Sequence, residues 1–199
     1  MSHYFSRKPI STGKTTIINT FQLGNYLQFK SQSGIFSWQE IDKGSELLIK
    51  SLKMPKNKEL FLDLGCGYGF IGITLAKAYP NFDFILTDVN ELAVRLAREN
   101  CKLNLVEKNT IVKQGYLFQS VEGLEFHSVI TNPPLMAGKK LLEELIVESF
   151  NHLKAHGSLQ LVVPKKKGLS TLEKMLKTTF GSYTTLGKNA GFWALIAEK

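Results

Sequence analysis

The chain has 199 residues, of which 43% are apolar and 21% charged, and it carries a formal net charge of +8. That length suits one domain with a sizeable core, and the balance of residues is that of an ordinary globular protein rather than a disordered one. No apolar run approaches membrane-spanning length and the first residues lack the apolar core of a signal peptide, so a cytoplasmic protein is expected, with an anionic partner such as RNA favoured by the charge.

Residues 15–23 and 26–30 are β-rich arms around Gly24-Asn25, a turn-forming pair at hairpin spacing. Residues 33–45 form a loop that leads into a short apolar helix ending near Leu52. The aromatics of that loop, Phe36 and Trp38, either cover the end of a sheet as a lid or build a wall of a ligand pocket, with Asp42 and Gly44 beside them. Residues 1–55 therefore read as an N-terminal hairpin and lid segment, and 56–199 as the core of one domain spanning 1–199.

Leu60–Leu64 is an apolar, β-rich strand, followed by closely spaced glycines and then by an apolar helix, Phe70–Ala78. Glycines at a strand's carboxyl end let the backbone turn sharply and approach a ligand. Gly67, Gly69 and Gly72 fit the Gly-x-Gly-x-x-Gly spacing of a dinucleotide site, a weak match alone. Asp63 separates two readings, because a carboxylate at the strand end repels a pyrophosphate but suits the ammonium end of a methionine-like cofactor. The pattern Asp63-x-Gly65-x-Gly67-x-Gly69 resembles the first motif of the class I S-adenosylmethionine methyltransferases. Cys66 lies inside this motif. With Cys101 it makes no Cys-x-x-Cys pair, and both read as free buried thiols.

Residues 82–87 form a second strand ending on Asp88. In a doubly wound sheet an acid at this place bonds the ribose of an adenosine-bearing cofactor, while its plainer role is to cap the next helix. Residues 90–104 are an amphipathic helix with Leu92, Ala93, Leu96 and Ala97 inward; Arg95, Arg98 and Lys102 lie on a face that reads as solvated. A third strand, 110–113, leads to Gly115 and to Tyr116, which either stacks on an adenine or belongs to the core.

The fourth strand, Phe126–Thr131, ends in Asn132-Pro133-Pro134-Leu135. Two prolines fix φ and remove two N–H donors, which leaves carbonyls free to point at a ligand. An exocyclic amine is a poor nucleophile because its lone pair is delocalised into the attached π-system. Asn132 Oδ1 and the Pro133 carbonyl can each accept one amine hydrogen and draw the nitrogen toward tetrahedral geometry. The lone pair is then aimed at a sulfonium methyl for in-line displacement, helped by positioning and desolvation. The plainer reading is a turn after a strand.

A helix over 141–153, a fifth strand over 158–163, a helix over 169–178 and two β-like arms around Asn189-Ala190-Gly191 complete the pattern. Lys139, Lys140 and Lys165 to Lys167 emerge at the carboxyl edge of the sheet, either solvated or facing a polyanion. His152 and His156 have a metal-compatible spacing, but without a third ligand they read as a helix end, and no metal is expected.

His3-Tyr-Phe-Ser6, Gly34-Ile-Phe-Ser37, Asp42-x-Gly-Ser45, the glycine motif, Asn132 to Lys139 and Pro164-Lys-Lys-Lys-Gly168 together make the chain look like the methyltransferase small-domain family. That group contains the bacterial ribosomal small-subunit guanine-N2 methyltransferases and their single-domain relatives. The resemblance implies an α/β fold: a Rossmann-like, seven-stranded class I methyltransferase sheet with helices on both faces, extended here by the N-terminal hairpin. It also implies S-adenosylmethionine as cofactor, ribosomal RNA or a ribosomal subunit as partner, and guanine N2 as acceptor. Carried over, Asp63, Gly65, Gly67 and Asp88 hold the cofactor, and Asn132 with Pro133 holds the target amine. The reading of the residues adds Gly69, Tyr116 and Asn132 to the cofactor set, Pro134 to the catalytic turn, and Phe36, Leu135, Lys139 and Lys140 to the substrate side. One departure is Leu135, where many amino-methyltransferases have an aromatic that stacks on the base; Phe36 is the candidate to replace it. The alternatives are methylation of a DNA adenine or a protein glutamine, a non-catalytic RNA-binding or ribosome-assembly protein of the same fold, and a dinucleotide oxidoreductase.

Overall fold

The computed structural model describes residues 11–166 and 168–199, so the motif at His3 to Ser6 and Lys167 lie outside the described residues. Strands β1 (Thr15–Gln22) and β2 (Asn25–Gln32) form an antiparallel hairpin with Gln22 opposite Asn25. Leu23 and Gly24 turn it with φ of 47° and 79°, the double positive-φ conformation that matches the twist of the arms.

The main sheet contains β3 (Leu60–Leu64), β4 (Asp83–Asp88), β5 (Thr110–Gln114), β6 (Phe126–Thr131), β7 (Leu153–Pro164), β8 (Thr184–Asn189) and β9 (Phe192–Glu198). Its order is β5-β4-β3-β6-β7-β9-β8, parallel except for β9, which runs antiparallel to both neighbours. The chain works outward from β3 through β4 to β5, then returns to the other side of β3 as β6. The connections on either side of that reversal diverge, which opens a crevice at the carboxyl ends of β3 and β6. Thr131 Oγ1 donates to the Leu64 carbonyl at 2.8 Å and ties those two strand ends together.

Side chains alternate across a strand, so adjacent residues feed opposite cores. Phe61 and Leu62 show this on β3: both are fully buried, one in each core. Helices α1 (Lys43–Ser51), α2 (Phe70–Ala78) and α3 (Glu91–Leu103) fill the first core together with the hairpin's Ile18, Leu27 and Phe29. Helices α4 (Lys139–Asn151) and α5 (Leu169–Phe180) cover the other face. Leu92 is only half-buried, and Val94 joins Ala93, Leu96 and Ala97 as a buried position of α3.

Most boundaries lie within two residues of the sequence reading, the hairpin's turn pair moving from Gly24-Asn25 to Leu23-Gly24, and the largest shift is at β7. The helix ends at Asn151 rather than near 153, and β7 begins at Leu153 rather than at Ser158. Leu153 is fully buried opposite Phe126, and the pull of that apolar pair extends the strand through a bulge near Ser128. His152 therefore closes α4, stacked on Phe118, while His156 stands in the strand at φ 62°, and the two share no helix face. Cys66 and Cys101 are free and buried. Among the described residues no helix is long and apolar enough to cross a membrane.

The hairpin docks through Asn100 in α3 and Asn104 at its C-cap. Asn104 accepts from Gln28 N at 3.0 Å and donates to Gln28 O at 2.8 Å. Asn100 does the same for Lys30, at 2.8 Å and 2.9 Å, and also donates to the Tyr68 carbonyl at 2.8 Å. Four residues of helix rise about 6 Å and two residues of strand about 6.8 Å, so the carboxamides mimic a neighbouring strand along the inner edge of β2. Asn100→Ala should leave Lys30 N, Lys30 O and the buried Tyr68 O without these partners and cost roughly 2–3 kcal/mol of stability. Denaturant unfolding would measure the loss, and faster amide exchange confined to the hairpin would place it there.

Candidate functional site

The site starts from the turn that follows β3. Gly65 and Gly67 adopt φ of 75° and 58°, and a Cβ on either would meet open space or only Ile35 at 3.9 Å, so conformation rather than crowding demands glycine there. Gly72 is the opposite case, because a Cβ would lie 2.7 Å from Leu86 and 3.0 Å from Asp63 Oδ2. That close approach lets the Gly72 N–H donate to Asp63 Oδ2 at 2.8 Å. The Gly67 N–H donates to Asp88 Oδ2 at 2.9 Å, and Asp88 Oδ1 accepts from Asn90 N at 2.9 Å. The Gly65 and Cys66 N–H groups both reach the Thr87 carbonyl at 2.9 Å. Asn90, not Asp88, caps α3, its Oδ1 accepting from Leu92 N and Ala93 N.

This bonding decides what the turn can hold. A pyrophosphate needs free N–H groups, but those of Gly65, Cys66 and Gly67 are spent within the protein and two carboxylates stand behind them. Burial raises the pKa of Asp63 to about 7, against the lowering effect of the Gly72 N–H, and the charge of Asp88 raises it further. Burial likewise raises Asp88, offset in part by its backbone bonds, and the Cys66 thiol well above its ordinary value. A pocket that resists negative charge on its own acids gains most from a positive group placed nearby.

The cleft in front of the turn has a volume of about 510 Å³, within the range of small-molecule sites. Ile35, Phe70 and Ile71 supply apolar wall, Gly65, Gly67, Asp88 and Asn90 supply the floor, and Asn132, Pro133, Pro134 and Leu135 supply the opposite side. Asn132 Nδ2 donates to Asp42 Oδ2 at 2.8 Å and to Ser45 Oγ at 3.0 Å, which joins the turn after β6 to the start of α1. The Pro133 carbonyl is not wholly free, contrary to the expectation for the two prolines. It accepts the Leu135 N–H at 2.9 Å in an inverse γ-turn centred on Pro134 (φ −76°, ψ 79°) and keeps one lone pair. The Pro134 carbonyl accepts Ala137 N at 2.9 Å.

The two readings of the loop before α1 each hold for one aromatic. Phe36 is 50% exposed and lines the cleft, whereas Trp38 packs against the first core. Gly44 is pressed between Asp42 Oδ2 and the ring of Phe192, each 2.9 Å from where its Cβ would be, and does not line the cleft. Asp63, at 2% exposure, and Gly69 also lie behind the lining residues. Tyr116 lines the rim half-exposed; its hydroxyl donates to Glu144 Oε2 at 2.9 Å, so it is neither core nor free. Lys139 and Lys140 are exposed at the first turn of α4 and outside the lining, while Leu141 and Leu145 of the same helix reach it. Lys165 and Lys166 are exposed beyond β7, whose Pro164 lines the cleft. Sequence reasoning missed Ser45, Tyr68, Met136 and Phe192 as lining residues. Met136 is 76% exposed beside the proline turn, an apolar side chain that no helical or strand period could have marked. Among the described residues no cluster of His, Cys, Asp or Glu could hold a metal ion.

Residues 26–196 match the family described as methyltransferase small domain. Over 99% of its length the chain is 39% identical to an uncharacterised protein, YbxB, of Bacillus subtilis, covering 98% of that protein. It is 33% identical over 83% of its length to the ribosomal RNA small subunit methyltransferase C of Hamiltonella defensa, of which it covers 48%. The chain spans about half the length of the relatives that carry this name. Among solved structures, the T. thermophilus 16S rRNA N2 G1207 methyltransferase in complex with AdoMet and guanosine superposes with a TM-score of 0.82 at 23% identity, over 93% of this chain and 50% of that one.

The raised pKa of Asp63 makes the stability of the fold depend on pH. The folded chain holds a proton there up to about pH 7, while the unfolded chain loses it near 3.8. Stability is therefore unpenalised below about 3.8, falls as pH rises toward about 7 and levels off above. Asp63→Asn keeps an acceptor for Gly72 N and removes the titration. Between about pH 4 and about pH 8 the wild type should lose stability relative to the variant by a few kcal/mol, measured as the difference between their unfolding free energies.

Proposed function

We propose that this chain, which belongs to the methyltransferase small-domain family, binds S-adenosylmethionine in the cleft where β3 and β6 diverge and methylates an exocyclic amine of a nucleobase in RNA. The acceptor we assign is guanine N2 of small-subunit ribosomal RNA. The observation that carries the reaction type is Asn132, held by its nitrogen at the mouth of the cleft so that its oxygen is left to accept an N–H. The choice of RNA is supported by the relatives named ribosomal RNA small subunit methyltransferase C and by the fold shared with the T. thermophilus enzyme.

The residues of the cleft fit the cofactor. Two acids of raised pKa favour its positive charge, Asp88 keeps lone pairs on both carboxylate oxygens for ribose hydroxyls, and Ile35, Phe70 and Ile71 offer an apolar surface to an adenine. When bound, the cofactor supplies an electrophilic methyl on sulfonium. Asn132 Oδ1 and the remaining lone pair of the Pro133 carbonyl accept the two hydrogens of the target amine and pull its nitrogen out of conjugation. Phe36, Leu135 and Met136 at the rim exclude water and offer faces to a base turned into the site. No strong base is needed, since the methylated ammonium releases its proton to water.

Charge at the rim points the same way. Helix α4 starts after Gly138 with no side-chain cap and no acid in its first turn, and Lys139 and Lys140 add positive charge to the end that is already positive. That arrangement is locally unfavourable and becomes favourable when phosphates approach. Lys165 and Lys166 extend it across the carboxyl edge of the sheet.

The test is transfer of labelled methyl from S-adenosylmethionine to ribosomal RNA, to both ribosomal subunits and to total protein, with nucleoside analysis of the labelled RNA. Label in N2-methylguanosine is expected; label in a protein glutamine or in another nucleoside would keep the transfer and replace the substrate. Asn132→Ala should leave cofactor affinity nearly unchanged and lower the transfer rate by about a hundredfold, as expected for an interaction made at the reacting amine.

A further inference from the structure

We infer that the lid segment sets the polarity of the site: Asp42 and Ser45, at the N-terminus of α1, are positioning residues that lock the Asn132 carboxamide with its oxygen toward the substrate. The inference rests on the amine-methylating reading given above.

A carboxamide can face a ligand with its oxygen or with its nitrogen, and the two faces select opposite partners. In this site the choice is made 90 residues away in sequence. Asp42 Oδ2 is a carboxylate oxygen, so whatever bonds to it must be a donor, and the Asn132 atom 2.8 Å away is therefore the nitrogen. The second hydrogen of that nitrogen goes to Ser45 Oγ at 3.0 Å. With both hydrogens spent, the carboxamide has no donor left and presents a pure acceptor to the cleft. A substrate amine is welcomed there, and a carbonyl or an unprotonated ring nitrogen finds no partner.

Asp42 is itself fixed. The same Oδ2 accepts Ser45 N at 2.7 Å as the N-cap of α1, and the Asp42 backbone carbonyl accepts Glu46 N at 3.0 Å. Gly44 completes the clamp because any side chain there would displace Asp42 or Phe192, both 2.9 Å from its Cβ position. The cap of a helix and the orientation of the reacting side chain are thus one hydrogen-bonded unit. Residues that belong to the lid rather than to the sheet decide which atoms of a base can be read.

Asp42→Ser tests this with the helix cap retained. Its hydroxyl can still cap Ser45 N, but on a stem one atom shorter it no longer accepts from the Asn132 nitrogen. The Asn132 carboxamide is then free to turn and point its nitrogen at the substrate. The turnover number should fall about a hundredfold with cofactor affinity and Tm nearly unchanged. Asp42→Asn is the conservative counterpart: because one oxygen, Oδ2, takes both Ser45 N and Asn132 Nδ2, a single amide oxygen in its place can take both as well. Asp42→Asn should therefore be at least about tenfold more active than Asp42→Ser, which a cap-only role for Asp42 does not predict. Ser45→Ala, which removes one acceptor and leaves the other, should cost less than Asp42→Ser, on the order of fivefold. Exchange of the Asn132 side-chain amide protons gives a reading independent of turnover, slow in the wild type and fast in Asp42→Ser. Wild-type protein inactive on every acceptor would count against the methyl-transfer reading while the amide exchange still decided the clamp. A fully active Asp42→Ser variant, an Asp42→Asn variant no better than Asp42→Ser, or unprotected Asn132 amide protons in the wild type would overturn the inference.

Discussion

Two carboxylates at the ends of neighbouring parallel strands hold the rest of the site in place. Asp63 and Asp88 each accept a backbone N–H from the glycine segment, one from Gly72 inside α2 and one from Gly67 in the turn itself. Those bonds fix where α2 begins, and the reversal of strand order between β3 and β6 places the cleft directly in front of it. The cost is two acids in a poorly solvated place, visible in their raised pKa values. A ligand bringing positive charge would offset that cost, and one bringing negative charge would add to it.

On this frame the remaining parts come from distant pieces of chain. The proline turn follows β6, the clamp on Asn132 comes from the start of α1, and the hairpin is fastened to α3 by Asn100 and Asn104. Ile35, three residues past the end of β2, forms part of the wall, so loss of hairpin packing would be felt at the cleft. The N-terminal segment acts less as an appendage than as one side of the site.

The sheet core was legible because its elements announce themselves locally. Leu60–Leu64, Phe70–Ala78 and Phe126–Thr131 fall where the apolar runs and glycines place them. The cleft residues Gly65, Gly67, Asp88 and Asn132 were legible because each sits at a strand's carboxyl end, where this topology puts ligands. What could not be read depends on contacts between remote residues. His156-Gly157 looks like a helix end, yet the buried pairing of Leu153 with Phe126 makes it strand. Asn100 and Asn104 look like ordinary polar positions of a helix until β2 lies against them. The Pro133 carbonyl seemed free because proline removes donors nearby, but the turn it forms brings the Leu135 N–H back to it. Asp42 stood near the ligands in one of the two readings of its loop, and its grip on Asn132 across 90 residues had no local signal.

A structure of the protein with S-adenosylhomocysteine and guanosine bound tests this arrangement most sharply. The sulfur should lie in front of the Gly65 to Gly69 turn, the exocyclic N2 of guanine within hydrogen-bonding distance of Asn132 Oδ1 and the Pro133 carbonyl, and Asn132 Nδ2 still on Asp42 and Ser45. A guanine presenting O6 or N7 to Asn132, or an Asn132 released from Asp42 and bonded to the base through its nitrogen, would contradict it.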